Sequence, residues 1–183
     1  MTFKQALAVI ALSLPLVAAA PSHGACVDVV PQLVGDSSSV ETSGTFSSQY
    51  PAWQAFDGAT STMWISEVFE TPAWISYDFG GQHLVTHYSI MNTNGPVLVS
   101  RAPKDFEFQG WNGTDWVTID TRSNETNWIS GQARQYAVAS PGLYSGYRLY
   151  ILDDNDIRDG VVVISMGDLR FENCLMAQAQ QQP

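Results

Sequence analysis

The chain has 183 residues, of which 45% are apolar and 11% aromatic, so it can form one domain with a real core and is not disordered as a whole. Its 18 acidic residues outnumber its 8 lysines and arginines, which gives a formal net charge of −10. Nucleic acid is therefore not an expected partner, because phosphate backbones require a basic face, and anionic membranes are disfavoured. Neutral partners such as sugars carry no such penalty.

The first 25 residues have the layout of a secretory signal peptide. Lys4 precedes the apolar run "ALAVIALSLPLVAAA", which ends in small residues. The mature chain is expected to begin between Pro21 and Cys26, and the protein is expected to be secreted. Two alternatives stay open. One is an uncleaved membrane anchor, although the run is short and contains proline; the other is a lipoprotein processed at "HGAC", although His23 stands where an aliphatic residue is usual.

The chain has two cysteines, Cys26 near the start of the mature chain and Cys174 near its end. In an oxidising compartment they predict a single disulfide that closes almost the whole domain. The alternative is a pair of unpaired, buried thiols.

The stretch "QAFDGATSTMW", residues 54–64, contains a tight turn at Asp57-Gly58 followed by small hydroxyl side chains and Trp64. Glycine accepts positive φ and aspartate bonds its own backbone, so the turn itself is ordinary. The oxygens of Thr60, Ser61 and Thr62 beside Asp57 form a group that could coordinate a hard cation. The simpler alternative is a turn capped by its own side chain.

After the signal-like segment the pattern indicates short strands throughout. Residues 74–79 ("WISYDF") place Ile75, Tyr77 and Phe79 on one face, and residues 83–91 alternate less cleanly. Further strands are expected at "FEFQGW" (106–111), "WVTID", "YRLYIL", "DLRFEN" and, buried on both faces, "VVVI" (161–164). Turn sequences separate them, and no apolar period of 3.6 persists. The pattern predicts a β-sandwich or barrel, and residues 175–183 are expected to form a disordered tail.

Five stretches occur in an order and spacing that resemble the discoidin, or coagulation factor 5/8 type C, family: "AFDGATSTMW", "PAWISYDFG", "RAPKDFEFQGWNGTDWVTI", "YRLYI" and "MGDLRFENC". The resemblance covers residues 26–174. It implies an all-β, eight-stranded antiparallel jelly-roll sandwich, similar to galactose-binding domains and to family 32 carbohydrate-binding modules. It also implies a protein that binds and does not catalyse, with Cys26 and Cys174 paired across the domain.

The resemblance further implies a structural calcium ion around the Asp-Gly turn. The positions that match the family's ligands are the side chains of Asp57, Thr62 and Asp168, with the carbonyls of Ala55, Thr60 and Gly167 as additions. All are hard oxygen donors, as Ca²⁺ requires. Two departures weaken the match: Ala59 stands where relatives carry Asn or Asp, and Asp168 is shorter than the usual Glu.

Ligands of this family bind at loops on one end of the sandwich, which here are residues 47–53, 66–71 and 92–101, with 153–160 beside them. Galactose-binding relatives carry a His and an Arg where this chain has Ile65 and Ala102, which argues against galactose itself. A glycan remains the expected ligand, because pyranose C–H bonds suit an aromatic platform with polar groups around it. The residues expected to form that site are Tyr50, Trp53, Phe69, Asn94 and Arg101, whereas Trp64, Trp74 and Trp116 are expected in the core.

The alternative is a module that binds a cell-surface protein or a membrane through apolar loop tips, namely Val68 with Phe69 and Val97 with Leu98. Glu67 and Glu70 flank the first pair, which disfavours an anionic membrane. Catalysis is not expected: the chain has neither a Gly-x-Ser-x-Gly motif nor a phosphate loop.

Overall fold

The computed structural model describes residues 26–68, 72–156 and 163–174. The predicted signal peptide (1–25), Phe69 and the predicted tail (175–183) lie outside these ranges. Val163 and Ile164, the described half of the predicted strand 161–164, are buried but precede the last strand. The described ranges hold ten strands and two short 3₁₀ helices: β1 Val27–Asp28, β2 Val40–Thr42, a helix Ala52–Phe56, β3 Trp64–Ile65, β4 Ala73–Leu84, β5 His87–Asn92, a helix Pro96–Arg101, β6 Pro103–Trp111, β7 Trp116–Arg122, β8 Ala133–Ala137, β9 Leu143–Asp154 and β10 Ser165–Asn173.

The strands form two antiparallel sheets. Sheet A has the order β1-β10-β5-β8, with β3 also paired to β10, and sheet B has the order β2-β4-β9-β6-β7. The predicted all-β, antiparallel jelly-roll sandwich is confirmed. The two strands beyond the expected eight are the two-residue strands β1 and β3, both paired with β10. Within the described ranges, no helix has the length and hydropathy that a bilayer crossing needs.

The single strand predicted for residues 83–91 is wrong, because the chain changes sheets within it. Strand β4 of sheet B ends at Leu84, and β5 of sheet A begins at His87. At the crossing, the N–H of Val85 donates to the Tyr147 hydroxyl at 3.2 Å. The N–H of Thr86 donates to the Glu172 carbonyl at 2.9 Å. The backbone donors that leave one ladder are therefore satisfied before the next ladder begins.

The core lies between the two sheets and is strongly aromatic. The rings of Tyr88 and Phe108 stack with centroids 4.4 Å apart, and Trp64 is fully buried as predicted. Trp74 and Trp116 were expected in the core, and that prediction is wrong, since both are only partly buried on the outer face of sheet B. Alternation explains Trp74: its neighbour Ile75 points inward, so Trp74 must point outward.

The predicted disulfide between Cys26 and Cys174 is confirmed, with a sequence separation of 148 residues. Beside it, β1 pairs with the end of β10, so Val27 lies opposite Asn173. The disulfide joins the two ends of the described chain at one edge of sheet A.

Candidate functional site

The predicted ligand loops are tied to one another at one end of the sandwich. The segment 46–50 is held on β3, because the N–H of Phe46 donates to the Ile65 carbonyl at 2.9 Å. The next residue, Ser66, donates its N–H to the Ile164 carbonyl and accepts the Ile164 N–H on its hydroxyl, both at 2.9 Å. On the other side, the N–H of Asn155 donates to the Ala102 carbonyl at 3.2 Å. A rigid scaffold therefore presents these loops together.

The segment predicted as the third loop, residues 92–101, contains the 3₁₀ helix Pro96–Arg101. Proline at its first position fits, since its fixed φ suits a helix start and its missing N–H costs nothing there. Leu98, one of the predicted apolar loop tips, is only partly exposed, as is Val68. Phe69 lies outside the described residues, and the side chain of Val97 is not described.

Four of the five predicted ligand residues are described. Tyr50, Trp53 and Arg101 are half-buried and Asn94 is exposed. None of their side-chain polar groups makes a hydrogen bond or ion pair with another residue of the described chain. Buried Trp64, by contrast, donates its indole N–H to the Gly44 carbonyl at 3.3 Å. The four described side chains therefore keep their polar groups available.

Arg101 stands apart from the other basic residues. In the described ranges it is the one arginine or lysine whose charged group has no hydrogen bond or ion pair. It lies at the last position of the Pro96–Arg101 helix, at the loop end.

Ile65 and Ala102 occupy the positions where galactose-binding relatives are expected to carry His and Arg. Both side chains are buried, with exposed fractions of 4% and 0%. They therefore pack into the domain and present no group to a ligand.

The Asp-Gly turn brings together part of the predicted calcium ligand set. One carboxylate oxygen of Asp57 accepts the Ala59 N–H at 2.8 Å, and the other accepts the Thr62 hydroxyl at 2.8 Å. Gly58 adopts φ +68°, the left-handed conformation that the turn requires of glycine. The local sequence alone fixes this geometry, because the aspartate bonds its own backbone two residues on.

Strand β10 supplies the distant member of the set. Asp168 follows a β-bulge at Gly167, where a Cβ atom would lie 2.8 Å from the Met91 methyl carbon. Asp168 is 5% exposed, and burial raises the pKa of its carboxyl, with the nearby Asp57 charge adding to the rise. The backbone N–H of Gly58 lies near the same carboxyl and partly offsets this rise in its pKa. Asp168 of β10 therefore lies close to the turn that carries Asp57 and Thr62. Ala55 is fully buried and Thr60 is exposed.

Arg170 is the residue at this site that the sequence-based prediction missed. Its Nε donates to Asp168 at 2.7 Å, so a positive charge already pairs with one of the two carboxylates. A cavity of about 250 Å³ opens beside the pair, lined also by Asp28 and Gln32. The period-two spacing of Asp168 and Arg170, which puts both on one face of a strand, was the pattern that could have revealed it.

The donor chemistry at this turn suits calcium in part. Two buried carboxylates and a hydroxyl are hard oxygen donors, and each carboxylate oxygen has a second lone pair beyond the hydrogen bond described. The guanidinium of Arg170 opposes a cation beside Asp168. A calcium ion would thus be held from the side of Asp57 and Thr62.

Comparison with known proteins bears on the fold and the family. The family model of the F5/8 type C domain, described as a NedA-like, galactose-binding domain, matches residues 54–142. No curated protein matches this chain in sequence.

Solved structures share the fold at low identity. The family 32 carbohydrate-binding module of Clostridium perfringens NanJ, in complex with galactose, is 16% identical with a TM-score of 0.59, over 73% of this chain and 92% of that one. An F5/8 type C domain from Bacteroides fragilis is 17% identical with a TM-score of 0.61, over 74% and 90%. A third module, from a family 31 glycoside hydrolase of C. perfringens, is 14% identical with a TM-score of 0.61, over 74% and 92%.

Proposed function

Since this chain carries an F5/8 type C, galactose-binding-like domain, we propose that it is a secreted, non-catalytic module that binds an extracellular carbohydrate through the loops at one end of its sandwich. The observation that carries the proposal is Arg101, whose guanidinium has no partner in the described chain. Five N–H donors in a fixed fork suit the hydroxyl or carboxylate oxygens of a sugar. Tyr50, Trp53 and Asn94 would complete the site, with Phe69 from the segment outside the described ranges.

Secretion is part of the proposal. Residues 1–25 have the composition of a signal peptide, and a disulfide that closes 148 residues is typical of proteins from oxidising compartments. Extracellular glycans are the partners that such a module would meet.

A calcium ion at Asp57, Thr62 and Asp168 is the second part of the proposal. It would stiffen the turn that follows the Ala52–Phe56 helix and would not touch the sugar. Because Arg170 already pairs with Asp168, we expect modest calcium affinity. Calcium should raise the thermal unfolding temperature, chelator should reverse the rise, and Asp57→Asn should abolish it.

A glycan array of the mature protein tests the proposal, with and without chelator. Arg101→Ala should weaken binding by about 10- to 150-fold, because a hydrogen bond to a charged group contributes about 1.5–3 kcal/mol. Arg101→Lys should recover part of the loss, since it keeps the charge but not the fork. Trp53→Ala should also weaken glycan binding. Its matched control is Trp74→Ala, which removes a half-exposed tryptophan from the outer face of sheet B.

A blank array would overturn the proposal. Vesicle capture that fails in Leu98→Asp would then favour a membrane, and capture of a purified cell-surface protein with the same sensitivity would favour a protein partner. Glycan binding that survives Arg101→Ala and Trp53→Ala would move the site away from the loop end.

A further inference from the structure

The outer face of sheet B carries a cluster of aromatic side chains that the loop-end site does not use. Strand alternation and pairing bring them together: Trp74 lies opposite Tyr150, and Trp111 lies opposite Trp116. Arg148 lies among them on the central strand β9. A sheet face exposed to water is ordinarily polar, so this arrangement requires an explanation.

Arg148 holds the cluster together. Its guanidinium carbon lies 4.5 Å from the ring centre of Trp116, 4.7 Å from that of Tyr150 and 5.8 Å from that of Trp74. Its Nε donates to the Gln109 side-chain carbonyl at 2.5 Å. Because the guanidinium is fixed by these contacts, it orients the indole of Trp116.

A cavity of about 240 Å³ lies beside this cluster. The indoles of Trp111 and Trp116 form one side, with ring centres 5.4 Å apart and planes tilted by 53°. Gly146 contributes to the lining, and a Cβ atom there would lie 3.7 Å from each of the two tryptophans and 3.3 Å from the Tyr77 carbonyl oxygen. The glycine therefore leaves open space that a side chain would fill. The volume is below the roughly 300–1,000 Å³ of sites for drug-sized ligands, so it suits one small ring.

The opposite side of the cavity carries negative charge. Glu41 and Asp78 line it, both exposed, together with the buried Ser76. Neither carboxylate has a basic partner among the described residues. Asp78 accepts the Gly80 N–H at 2.8 Å, and the Ser76 hydroxyl makes a long contact of 3.4 Å with the Glu41 carbonyl. Together with Glu107 and Arg148 on the same face, these residues carry a formal net charge of −2. Both charged groups that line the cavity, the carboxylates of Glu41 and Asp78, are hydrogen-bond acceptors.

We propose that this cavity binds an amino sugar, with the free ammonium group between Glu41 and Asp78 and the C–H face of the ring on Trp111 and Trp116. Two carboxylates without a basic partner are matched by a primary ammonium, which brings three N–H groups and a positive charge. The same cation is attracted by the indole faces. That the ammonium is carried on a sugar rests on the proposed glycan-binding function.

Titration with glucosamine, followed through the indole N–H resonances in NMR spectra, tests the inference. The signals of Trp111 and Trp116 should shift while that of Trp53 at the loop end does not. N-acetylglucosamine, which keeps the ring and hydroxyls but lacks the charge, should leave them unmoved. Added salt should weaken binding, because both carboxylates are exposed.

Matched variants locate the binding. Glu41→Gln and Asp78→Asn keep the side-chain shape, and the asparagine oxygen can still accept the Gly80 N–H. Each should weaken glucosamine binding by about tenfold or more, since each removes a charge-assisted hydrogen bond. Trp116→Ala should abolish binding, and Trp74→Ala, on the same face but outside the cavity, should leave it nearly unchanged.

Equal shifts with N-acetylglucosamine, unchanged affinity in the Glu41→Gln, Asp78→Asn double variant, or no shifts at all would overturn the inference. Binding of choline without glucosamine would overturn the amino sugar as the occupant. The glycan array tests the loop-end site separately. If Arg101→Ala loses array binding but still shows the glucosamine shifts, the loss concerns the loop end alone.

Discussion

Removal of the Cys26–Cys174 disulfide should cost this domain much of its stability. The cross-link closes a loop of 148 residues. In the chain-entropy description, a loop of that length lowers the entropy of the unfolded chain by about 17 cal/mol/K, which is about 5 kcal/mol at 25 °C. Small domains are stable by about 5–15 kcal/mol in total, so the reduced protein should approach its unfolding threshold. The loss acts on the unfolded state, because β1 still pairs with β10 through Val27 and Asn173.

Urea unfolding of the double variant Cys26→Ser, Cys174→Ser measures this loss against the oxidised parent. The free energy of unfolding should fall by about 5 kcal/mol, and the denaturant slope should rise because the unlinked chain exposes more surface. The reduced parent protein serves as the control for the substitutions themselves. A loss below about 1 kcal/mol, or a change in slope without a change in stability, would refute the loop-entropy argument.

Three further predictions follow from single sites. Burial raises the pKa of Tyr147 to about 12. Because the unfolded tyrosine ionises from about pH 10 while the folded one stays neutral, the free energy of unfolding should fall between about pH 10 and 12. Urea titration should show this fall, and it should be less steep in Tyr147→Phe. Gly110→Ala should destabilise by about 1–3 kcal/mol in thermal unfolding, because its Cβ would meet an aromatic ring, whereas Gly81→Ala, with open space around it, should not. Arg170→Gln should tighten calcium binding in calorimetry by removing the competing cation, and an unchanged or weaker affinity would contradict a calcium ion at Asp168.

Patterns local in sequence predicted the class of fold and part of the site. Alternation in residues 74–79 placed Ile75 and Tyr77 on one face, and both are buried. The stretch after the Asp-Gly turn indicated hydroxyl oxygens beside Asp57, and the Thr62 hydroxyl donates to that carboxylate. The alternative of a turn capped by its own side chain is also present, since the Asp57 carboxylate accepts the Ala59 N–H. The two cysteines had one possible intramolecular pairing, which the structure contains.

The sequence by itself therefore determined the alternating strands, the turn chemistry and the disulfide. The strands and the turn depend on neighbours in the chain, and two cysteines can pair within the chain in only one way. Tertiary structure decided the rest. The change of sheets at residues 85–86 and the outward position of Trp116 depend on which strands pair and in what register. The same holds for the cavity beside Gly146, which joins residues from β2, β4, β6, β7 and β9. Strand alternation sets only which residues share a face; the register between distant strands sets which of those side chains meet.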